Sequence, residues 1–444
     1  YDSLRLIEIE YPENPEMSVY YQYGAPGSGN QTNRLIGQQD ASGMQTFTYG
    51  KLGELTENIH AFVVPNGLAY TFSTKWSYDS WGRIINIEYP DGEMVKYHYD
   101  TGGNLYTMTS VKGGDEYSFI DRIEYNLYGK RSKIMYSNGV TTEYTYNTQN
   151  LRLNNMLCYN INNDKLQDIT YSYDDVGNIS DIMNKCDYIN DLGGDYEYQY
   201  SYDDLYRLTG SSGSFAPYNQ NSISFNLETA YSLSGNITTK NQSATTLIDG
   251  GFISLSNNYS YNYSSTRPHV LADINDSVYF SFDANGNMEQ KSWDGWYRNL
   301  CWDEENRLSA VGEYSGGRHL SLYLYDGDGE RAWKFAGNGT LLIINGRPPV
   351  LTTHLNKTLY VNPYMVMTEE EYTKHYFIEG ERVASKIGKG FGVAPILPTY
   401  DTLTFINGSA SSVASALYTW RLRQTTCTSY DGGSITMGTH LEPA

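Results

Sequence analysis

Residues 76–105 read WSYDSWGRIINIEYPDGEMVKYHYDTGGNL and contain one short phrase twice, about twenty residues apart. The phrase begins with an aromatic residue, any one residue and Tyr-Asp. Any two residues and a Gly follow, and the phrase ends with Asn or Arg and then Ile or Leu. Alternating aromatics place their rings on one face of a strand. The Asp can close a turn with its own backbone, and the Gly allows a positive φ. Because Asp91-Gly92 between strand-like runs is also a hairpin signal, the stretch predicts a repeating β-hairpin.

The phrase recurs along most of the chain, and a repeated period of this kind is typical of repeat arrays. Most intervals are about 20 to 29 residues, but the one from Tyr231 to Phe282 is nearly double, which indicates an eroded copy. The copies are placed by their aromatic residue at Tyr1 (shortened), Tyr49, Tyr78, Tyr99, Tyr125, Tyr146, Tyr173, Tyr202, Tyr231, Phe282, Trp302 and Tyr325.

The turn-forming residues are expected to be structural. Where Gly is lost, Asn150 and Asn306 are expected to take its left-handed conformation, because Asn tolerates it best after Gly. Tyr206 does not fit this rule, so a different turn is expected there. The residues assigned to the repeat turns are Tyr78, Asp79, Gly82, Tyr99, Asp100, Gly103, Tyr173, Asp174, Gly177, Phe282, Asp283 and Gly286.

Composition favours an all-β protein. The 444 residues include 44 Tyr and only 13 Pro, and residues with high helix propensity are scarce. We therefore expect an array of hairpins that forms a long, curled or spiralling antiparallel sheet over residues 1–335. Segments 24–29, 210–217 and 234–251 are rich in Gly, Ser, Asn and Thr, which predicts loops. Residues 336–392 are expected to lead out of the array through a hairpin at 372–388, with Glu379 and Gly380 in its turn. Residues 393–444 form a divergent, Ser/Thr-rich tail, interpreted as a different element or a poorly ordered segment.

The net charge of −20, from 31 basic and 51 acidic residues, opposes binding to nucleic acid. The four cysteines lack CxxC spacing, so neither a zinc site nor a dense disulfide framework is indicated, and the redox compartment stays open. No run reaches the roughly eighteen apolar residues of a membrane span. We predict no cofactor, no metal site and no membrane span.

The repeated phrase resembles the YD repeats of the Rhs family, which also occur in shell-forming components of insecticidal toxin complexes and in teneurins. The segment HYFIEGERVASKIG (375–388) is similar to the segment that lies directly after the array in bacterial Rhs-type proteins. The resemblance implies a β-strip that spirals into a hollow shell, a C-terminal core that plugs it and can cleave itself with aspartates, and a variable toxin inside. The core signature, an Asp-His-Leu-Gly-Ser type phrase followed by a Pro-x-Gly run, is absent after Gly392. No self-cleaving aspartates are therefore assigned.

Candidate chemical sites are few. Asp174 and Asp175 are adjacent on the chain and point to opposite faces, so they do not form a paired-carboxylate site. The run 326–330 (DGDGE) begins like a calcium loop but has Arg331 and Gly337 where that loop needs Gly and Glu, so a repeat turn is predicted. Trp293, Trp296 and Tyr297 form an aromatic cluster that is either ordinary sheet packing or, if exposed on a rim, a contact for glycans. A bend would be needed to bring the two Trp side chains to one face.

The pattern supports three hypotheses about function. The first is a non-enzymatic shell that encloses a C-terminal toxin or another protein cargo not contained in this chain. The second is a cell-surface adhesin that binds glycans or a partner protein, and the third, for which no catalytic constellation is found, is an enzyme. The resemblance implies a bacterial protein that is secreted or held at the cell surface.

Overall fold

The computed structural model describes residues 4–12, 14–63, 69–189, 193–217, 222–248, 251–314, 318–342, 350–389, 406–408 and 410–428. Their secondary structure consists of 31 strands, one helix (α1, Ala410–Thr428) and two 3₁₀ turns (Pro15–Met17 and Gly29–Gln31). The strand pairs are antiparallel. The predicted all-β antiparallel class is confirmed.

The strands follow one another with short connections. The first fifteen are β1 (Glu8–Ile9), β2 (Val19–Tyr23), β3 (Leu35–Asp40), β4 (Gly43–Tyr49), β5 (Leu55–Val63), β6 (Ala69–Tyr78), β7 (Ile84–Glu88), β8 (Met94–Tyr99), β9 (Leu105–Lys112), β10 (Asp115–Tyr125), β11 (Arg131–Tyr136), β12 (Thr141–Tyr146), β13 (Leu153–Tyr159), β14 (Lys165–Tyr173) and β15 (Ile179–Asn184). The others are β16 (Gly194–Tyr202), β17 (Leu208–Pro217), β18 (Ile223–Tyr231), β19 (Ile237–Ile248), β20 (Gly251–Tyr263), β21 (Leu271–Ile274), β22 (Val278–Phe282), β23 (Met288–Trp293), β24 (Trp296–Trp302), β25 (Leu308–Tyr314), β26 (Arg318–Tyr325), β27 (Arg331–Leu342), β28 (Val350–Asn362), β29 (Met365–Thr368), β30 (Glu371–Ile378) and β31 (Glu381–Lys389).

Each described pairing joins a strand to the next strand in the chain, which is the predicted succession of hairpins. The turn of the repeated phrase, called here the YD turn, therefore alternates with a simpler turn at the opposite strand ends. The register shifts by one residue beside the YD turns, for example between Ser172 and Tyr173 and between Ser201 and Tyr202. A bulge at this position re-aims the aromatic side chain that precedes the turn.

Two of the predicted loops are wrong. Residues 210–217 lie in β17, and 237–248 of the segment 234–251 form β19, with residues 249 and 250 outside the described part. Gly213 explains the first error, because a Cβ there would lie 2.6 Å from Tyr198 Cδ1 and 2.8 Å from Phe225 Cε1. Gly213 thus makes room for one ring from each neighbouring strand. A composition typical of loops here serves close packing.

The terminal hairpin is confirmed. Strands β30 and β31 pair from Glu371 opposite Lys389 to Ile378 opposite Glu381. Glu379 and Gly380 form the turn with φ values of 47° and 87°. Both positive φ values are those of a type I′ hairpin turn, which matches the right-handed twist of the flanking strands.

The chain divides into two compact units. The first comprises Tyr1–Lys96, Val111–Asp115 and Phe280–Ala444. Its core surrounds Trp333, which is fully buried and contacts Phe62 edge-on with a ring-centre distance of 6.3 Å. Phe335 lies beside Trp333 at 5.6 Å and continues the core to Trp420 at 6.4 Å. Residues from the start and the end of the chain thus share one core within this unit.

The second unit comprises Tyr97–Ser110 and Glu116–Tyr279. Most of its side chains are half-buried, and its fully buried apolar residues, such as Met108, Ile120 and Ile134, are few. Tyrosine ladders stabilise it instead: Tyr196 and Tyr198 stack at 4.9 Å. Aromatic contacts of this kind contribute about 0.5–1.5 kcal/mol each beyond area burial.

Helix α1 lies in the tail that the sequence analysis left open. Leu417 and Trp420 are buried in the core of the first unit. A disulfide joins Cys427 near the end of the helix to Cys301 of β24, and Ser309 Oγ donates a hydrogen bond of 2.8 Å to Gln424 Oε1. Residues 390–405, 409 and 429–444 lie outside the described part, and the domain boundaries at 335 and 392 stay predictions. Within the described residues, no helix has the length and apolar character needed to cross a membrane.

The packing of helix α1 against the sheet can be tested at Leu417. The change Leu417→Ala is expected to lower the free energy of unfolding by about 2–5 kcal/mol, because it leaves a cavity in the core. Denaturant unfolding followed by tryptophan fluorescence measures the difference. Tyr418→Ala is the matched control on the adjacent, 42% exposed position and should cost much less. Equal losses in the two variants would contradict the packing of α1 against the sheet.

Candidate functional site

The YD turn after Tyr173 has one well-defined hydrogen-bond pattern. The Asp174 N–H donates to the Asn178 carbonyl over 2.9 Å. One carboxylate oxygen, Asp174 Oδ1, accepts the N–H groups of Val176, Gly177 and Asn178 at 3.1, 2.7 and 2.8 Å. Gly177 has a φ of 106°, as the turn requires. The aspartate side chain therefore satisfies the N–H groups of Val176 and Asn178 and supplements the bond of 3.2 Å from the Gly177 N–H to the Asp174 carbonyl.

The other assigned turn residues occupy the same places. Asp79, Asp100 and Asp283 each accept a backbone N–H from the residue four positions later, at 3.0, 2.9 and 2.8 Å. Tyr78, Tyr99 and Phe282 end their strands, and Gly82, Gly103 and Gly286 have φ values of 76°, 90° and 92°. Hydrogen bonds from the backbone and side chain of Asn104 hold the pKa of Asp100 below its usual range.

Asn306 has the expected positive φ of 60°, but the prediction for Asn150 is wrong, because Leu151 takes the left-handed conformation instead with a φ of 57°. This turn is one residue longer: the Asn147 N–H donates to the carbonyl of Arg152. The extra residue moves the left-handed position one place along the chain.

The expectation of a different turn at Tyr206 is also wrong. Tyr206 has a φ of 60°, and the Asp203 N–H donates to the Arg207 carbonyl over 3.0 Å as in the other copies. Asp203 Oδ1 again accepts two backbone N–H groups, from Leu205 and Arg207. These bonds hold the turn against a strain of about 1–2 kcal/mol for a left-handed non-glycine residue.

The tyrosine of the phrase has a role that sequence reasoning missed. Its hydroxyl donates a hydrogen bond to the carbonyl of the first residue of the preceding strand, beside the previous YD turn. The pairs are Tyr49 with Leu35, Tyr78 with Leu55, Tyr125 with Leu105, Tyr146 with Arg131, Tyr173 with Leu153, Tyr202 with Ile179, Tyr231 with Leu208, Tyr263 with Ile237 and Tyr325 with Leu308, at 2.7–3.0 Å. Trp302 replaces the hydroxyl with its indole N–H and donates to Met288 over 2.8 Å. The available signal was the preference for Tyr over Phe directly before Asp.

The bond from Tyr263 also locates the eroded copy. Tyr263 ends β20, and the Ser264 N–H donates to the Val270 carbonyl over 2.8 Å, which closes a longer turn. Ser264 stands where most other copies have Asp or Asn and where the copy at Tyr231 has Ser232. The position of this turn accounts for the doubled interval between Tyr231 and Phe282.

A cation on many YD turns forms a second link to the next turn. Arg207 Nε donates to Asp203 Oδ2 over 2.7 Å, and this bond is the main cause of the lowered pKa of Asp203. The guanidinium of Arg207 then lies 4.5 Å from the ring centre of Tyr231 in the following turn. The same stacking recurs for Arg34 on Tyr49 (5.4 Å), Lys130 on Tyr146 (5.1 Å), Arg152 on Tyr173 (5.4 Å) and Arg307 on Tyr325 (5.1 Å).

The aromatic cluster lies on a tight hairpin. Trp293 and Trp296 are directly paired across the turn formed by Asp294 and Gly295, which supplies the bend that the sequence required. Their rings are nearly parallel, with centres 6.4 Å apart, and Lys291 Nζ lies 4.9 Å from the Trp293 ring centre. Tyr297 pairs with Ser292 on the neighbouring strand. A role in glycan contact stays a prediction for these residues.

In the first unit, a buried ion cluster joins the turn at 90–93 to β30. Lys374 has no exposed surface and contacts Asp91 Oδ2 at 2.7 Å and Glu93. Lys112 Nζ contacts the same oxygen of Asp91 at 2.5 Å, and Lys386 Nζ lies 3.9 Å from Glu93 Oε2, so each carboxylate faces two ammonium groups. Tyr372 donates to Asp91 over 2.9 Å. Buried charges of this kind are tolerated only when they are paired and hydrogen-bonded, which makes the docking geometry specific.

The run 326–330 forms a YD turn, as predicted. Asp326 Oδ1 accepts the N–H groups of Asp328 and Glu330 at 3.0 and 2.9 Å. The Gly327 N–H donates over 2.7 Å to Asp40 Oδ2, at the turn between β3 and β4. Burial, and then the negative charge of Asp40, raise the pKa of Asp326 to about 7. Among the described residues, no group of His, Cys, Asp and Glu side chains is suited to holding a metal ion.

The recurring turn and the succession of hairpins define a YD-repeat β-hairpin array. Residues 78–115 match the family model of the RHS repeat. The chain therefore carries the repeat of the Rhs/YD-repeat family, and the resemblance inferred from the sequence is confirmed. No curated protein matches the chain.

Solved structures share the fold. The crystal structures of TcdB2-TccC3-Cdc42 and TcdB2-TccC3 are each 17% identical to this chain, with a TM-score of 0.64, over 84% and 85% of its length. The structure of the Photorhabdus luminescens Tc holotoxin pore is similar, with 17% identity and a TM-score of 0.63 over 84% of this chain. The chain spans about a fifth of the length of those chains, 21%, 22% and 20% respectively.

The tyrosine hydroxyl bond predicts a selective loss in Tyr173→Phe. Removing the hydroxyl leaves the Leu153 carbonyl without this donor and is expected to cost about 1 kcal/mol of unfolding free energy. Tyr171→Phe is the matched control, because Tyr171 precedes it by two residues on the same strand and its hydroxyl makes no hydrogen bond to a described residue. Urea unfolding of both variants measures the difference. A loss of the same size in Tyr171→Phe would show that ring polarity, and not this bond, matters.

The pKa of Asp326 predicts a pH-dependent stability. Because this pKa lies above its ordinary value of 3.8, the stability that the protonated group provides is complete below about pH 4 and is lost as the pH rises through 7. Asp326→Asn keeps the accepting oxygen without the charge. At pH 8 it should be more stable than the wild type by on the order of 1–3 kcal/mol, and the difference should vanish near pH 4.

The matched control for that experiment is Asp283→Asn. Desolvation raises the pKa of Asp283, but the hydrogen bonds of its turn outweigh this effect and hold the pKa below its usual range. That carboxylate stabilises the fold above about pH 4, so its Asn variant should be less stable than the wild type at pH 8. Thermal unfolding at pH 4, 6 and 8 measures the sign of the stability difference between each variant and the wild type. A destabilised Asp326→Asn at pH 8 would refute the unfavourable burial of this charge.

Proposed function

We propose that this chain is a non-enzymatic segment of a YD-repeat shell that encloses a polypeptide cargo, either a toxin or another protein not contained in the chain. The observation that carries the proposal is the hairpin array in which successive YD turns are linked by the tyrosine hydroxyl bond. Such links extend a sheet hairpin by hairpin without a deep core, which suits a wall. The fold shared with TcdB2-TccC3 over 85% of the chain supports it.

The proposed location is outside the cytoplasm of a bacterium, as a secreted or cell-surface protein. The disulfide between Cys301 and Cys427 supports this, because such bonds persist in oxidising compartments and are rare in the cytosol. A role as an adhesin that binds glycans has weaker support. Trp296 is 45% exposed, but one face of its ring is turned toward Trp293.

The test uses the complete native product that contains this chain, including any polypeptide that its reading frame adds beyond Ala444. Its mass is measured, and the native product is treated with a nonspecific protease while fragments are followed by mass spectrometry. Enclosure should slow cleavage of the cargo at least tenfold relative to the same polypeptide produced alone, because a protease cleaves the accessible, opened state.

The control is the same cargo fused to an unrelated folded protein of similar size, in which cleavage should be as fast as in the isolated polypeptide. Equal cleavage rates in the native product and in this control would overturn the proposal. A native product without any further polypeptide would overturn the form of the proposal in which the cargo belongs to the same product.

A further inference from the structure

A cavity of about 470 Å³ lies in the second unit between the YD turns at 174–178 and 203–207. It occupies the place that an arginine or lysine fills in many other turns. Asn178 stands at the position of that cation, and its short side chain ends on Asp174 Oδ2 at 2.8 Å. Tyr202, the ring on which the cation would lie, lines the cavity. No arginine or lysine of the described chain stacks on Tyr202.

The turns on either side show which chemical group fits. In the step before the cavity, the guanidinium of Arg152 lies 5.4 Å from the ring centre of Tyr173. In the step after it, Arg207 lies 4.5 Å from that of Tyr231. The turns that carry Asn178 and Arg207 close with the same backbone hydrogen bond, and the turn that carries Arg152 is one residue longer. The space between Asn178 and Tyr202 therefore has the ring and the turn of a guanidinium site without the guanidinium, with Tyr206 in place of the glycine, Gly177, that faces Arg152 in the step before.

The other walls are also suited to a cation. Tyr206 stands where most YD turns have Gly, and its 60% exposed side chain lines the cavity with Tyr200. Asp203 is already paired with Arg207. Asp204 also lines the cavity, is exposed, and makes no ion pair or hydrogen bond with a described residue. A free carboxylate beside aromatic faces attracts a planar cation by charge and by cation–π contact.

Three other turns end in Asn: the side chain of Asn104 donates to Asp100 Oδ2 of its own turn over 3.3 Å, as that of Asn178 does to Asp174, and the other two differ from this turn. Asn287 Nδ2 donates to Asn306 Oδ1 of the next turn over 2.7 Å. Asn236 bonds His269 of the next turn, with 2.7 Å between Oδ1 and Nδ1. In both, a polar side chain of the following turn bridges the gap. Asn178 has no such partner among the described residues, since the following turn presents Tyr206.

We propose that this cavity binds the guanidinium of an arginine side chain presented by another polypeptide. The guanidinium stacks on Tyr202 and pairs with Asp204, as the chain's own arginines stack on the neighbouring tyrosines. Arginine fits better than lysine because its planar group stacks on a ring and pairs with a carboxylate at once. The net charge of −20 favours a basic partner. The inference rests on these two turns alone and stands independently of the shell proposal.

The test is a calorimetric titration of the full chain with N-acetyl-arginine amide as the probe. Saturable binding is expected with a Kd on the order of 1–10 mM, the strength of one stacked and paired cation. N-acetyl-citrulline amide, the neutral isostere, should bind roughly tenfold more weakly or not at all. Equal heats for the two probes would overturn the proposal.

Variants locate the site. Asn178→Arg supplies the missing guanidinium from within the chain, so it should weaken probe binding at least about tenfold while the melting temperature stays equal or rises. Asn104→Arg makes the same change in charge at the same position of another turn and should leave binding within about twofold of the wild type. Asp204→Asn should weaken binding several-fold. Unchanged binding in Asn178→Arg, or equal loss in Asn104→Arg, would refute this location.

Discussion

The hydrogen bond from a tyrosine hydroxyl to the carbonyl at the start of the preceding strand links each YD turn to the YD turn before it in the chain. Tyr173 illustrates the geometry: it ends β14 and reaches Leu153, the first residue of β13. Each such bond contributes only about 1 kcal/mol. Because this bond recurs from Tyr49 to Tyr325, a regular row of hydrogen bonds connects successive YD turns of the sheet. The second unit depends on it most, since its fully buried apolar residues are few.

The turn itself tolerates sequence change because several kinds of side-chain oxygen at its first position can accept its backbone N–H groups. Asp174 supplies a carboxylate, Asn126 an amide and Ser232 a hydroxyl, and each accepts the N–H of the residue four positions later. Tyr206 shows that even the left-handed position can hold a large residue once those bonds are made. The array can therefore diverge in sequence while the hairpins stay in register, which agrees with a shared fold at 17% identity.

The two units are stabilised by different kinds of contact. The first has a conventional core around Trp333, a disulfide that fixes α1, and the buried cluster of Lys374 with Asp91 and Glu93. The disulfide joins residues 126 positions apart, and the contacts of Lys374 with Asp91 and Glu93 join residues 283 and 281 positions apart. The second is built from hairpin neighbours, so its stability is a sum of local terms, as in other repeat arrays. Repetition extends the array through local contacts, whereas the long-range contacts of the first unit fix particular segments to one another.

The sequence alone determined the hairpin array, the left-handed glycines and the terminal hairpin, because each depends on residues close together in the chain. It failed at 210–217, where Gly213 makes room for the rings of Tyr198 and Phe225 on the neighbouring strands. It gave Asp91 only a turn role, and nothing in the local pattern could reveal that Lys374, far along the chain, neutralises it. The pairing of Cys301 with Cys427 and the unfilled space beside Tyr202 were likewise decided by tertiary structure. Local backbone conformation is written in short stretches of sequence, whereas the partners of buried charges and the spaces between turns exist only once distant segments have packed.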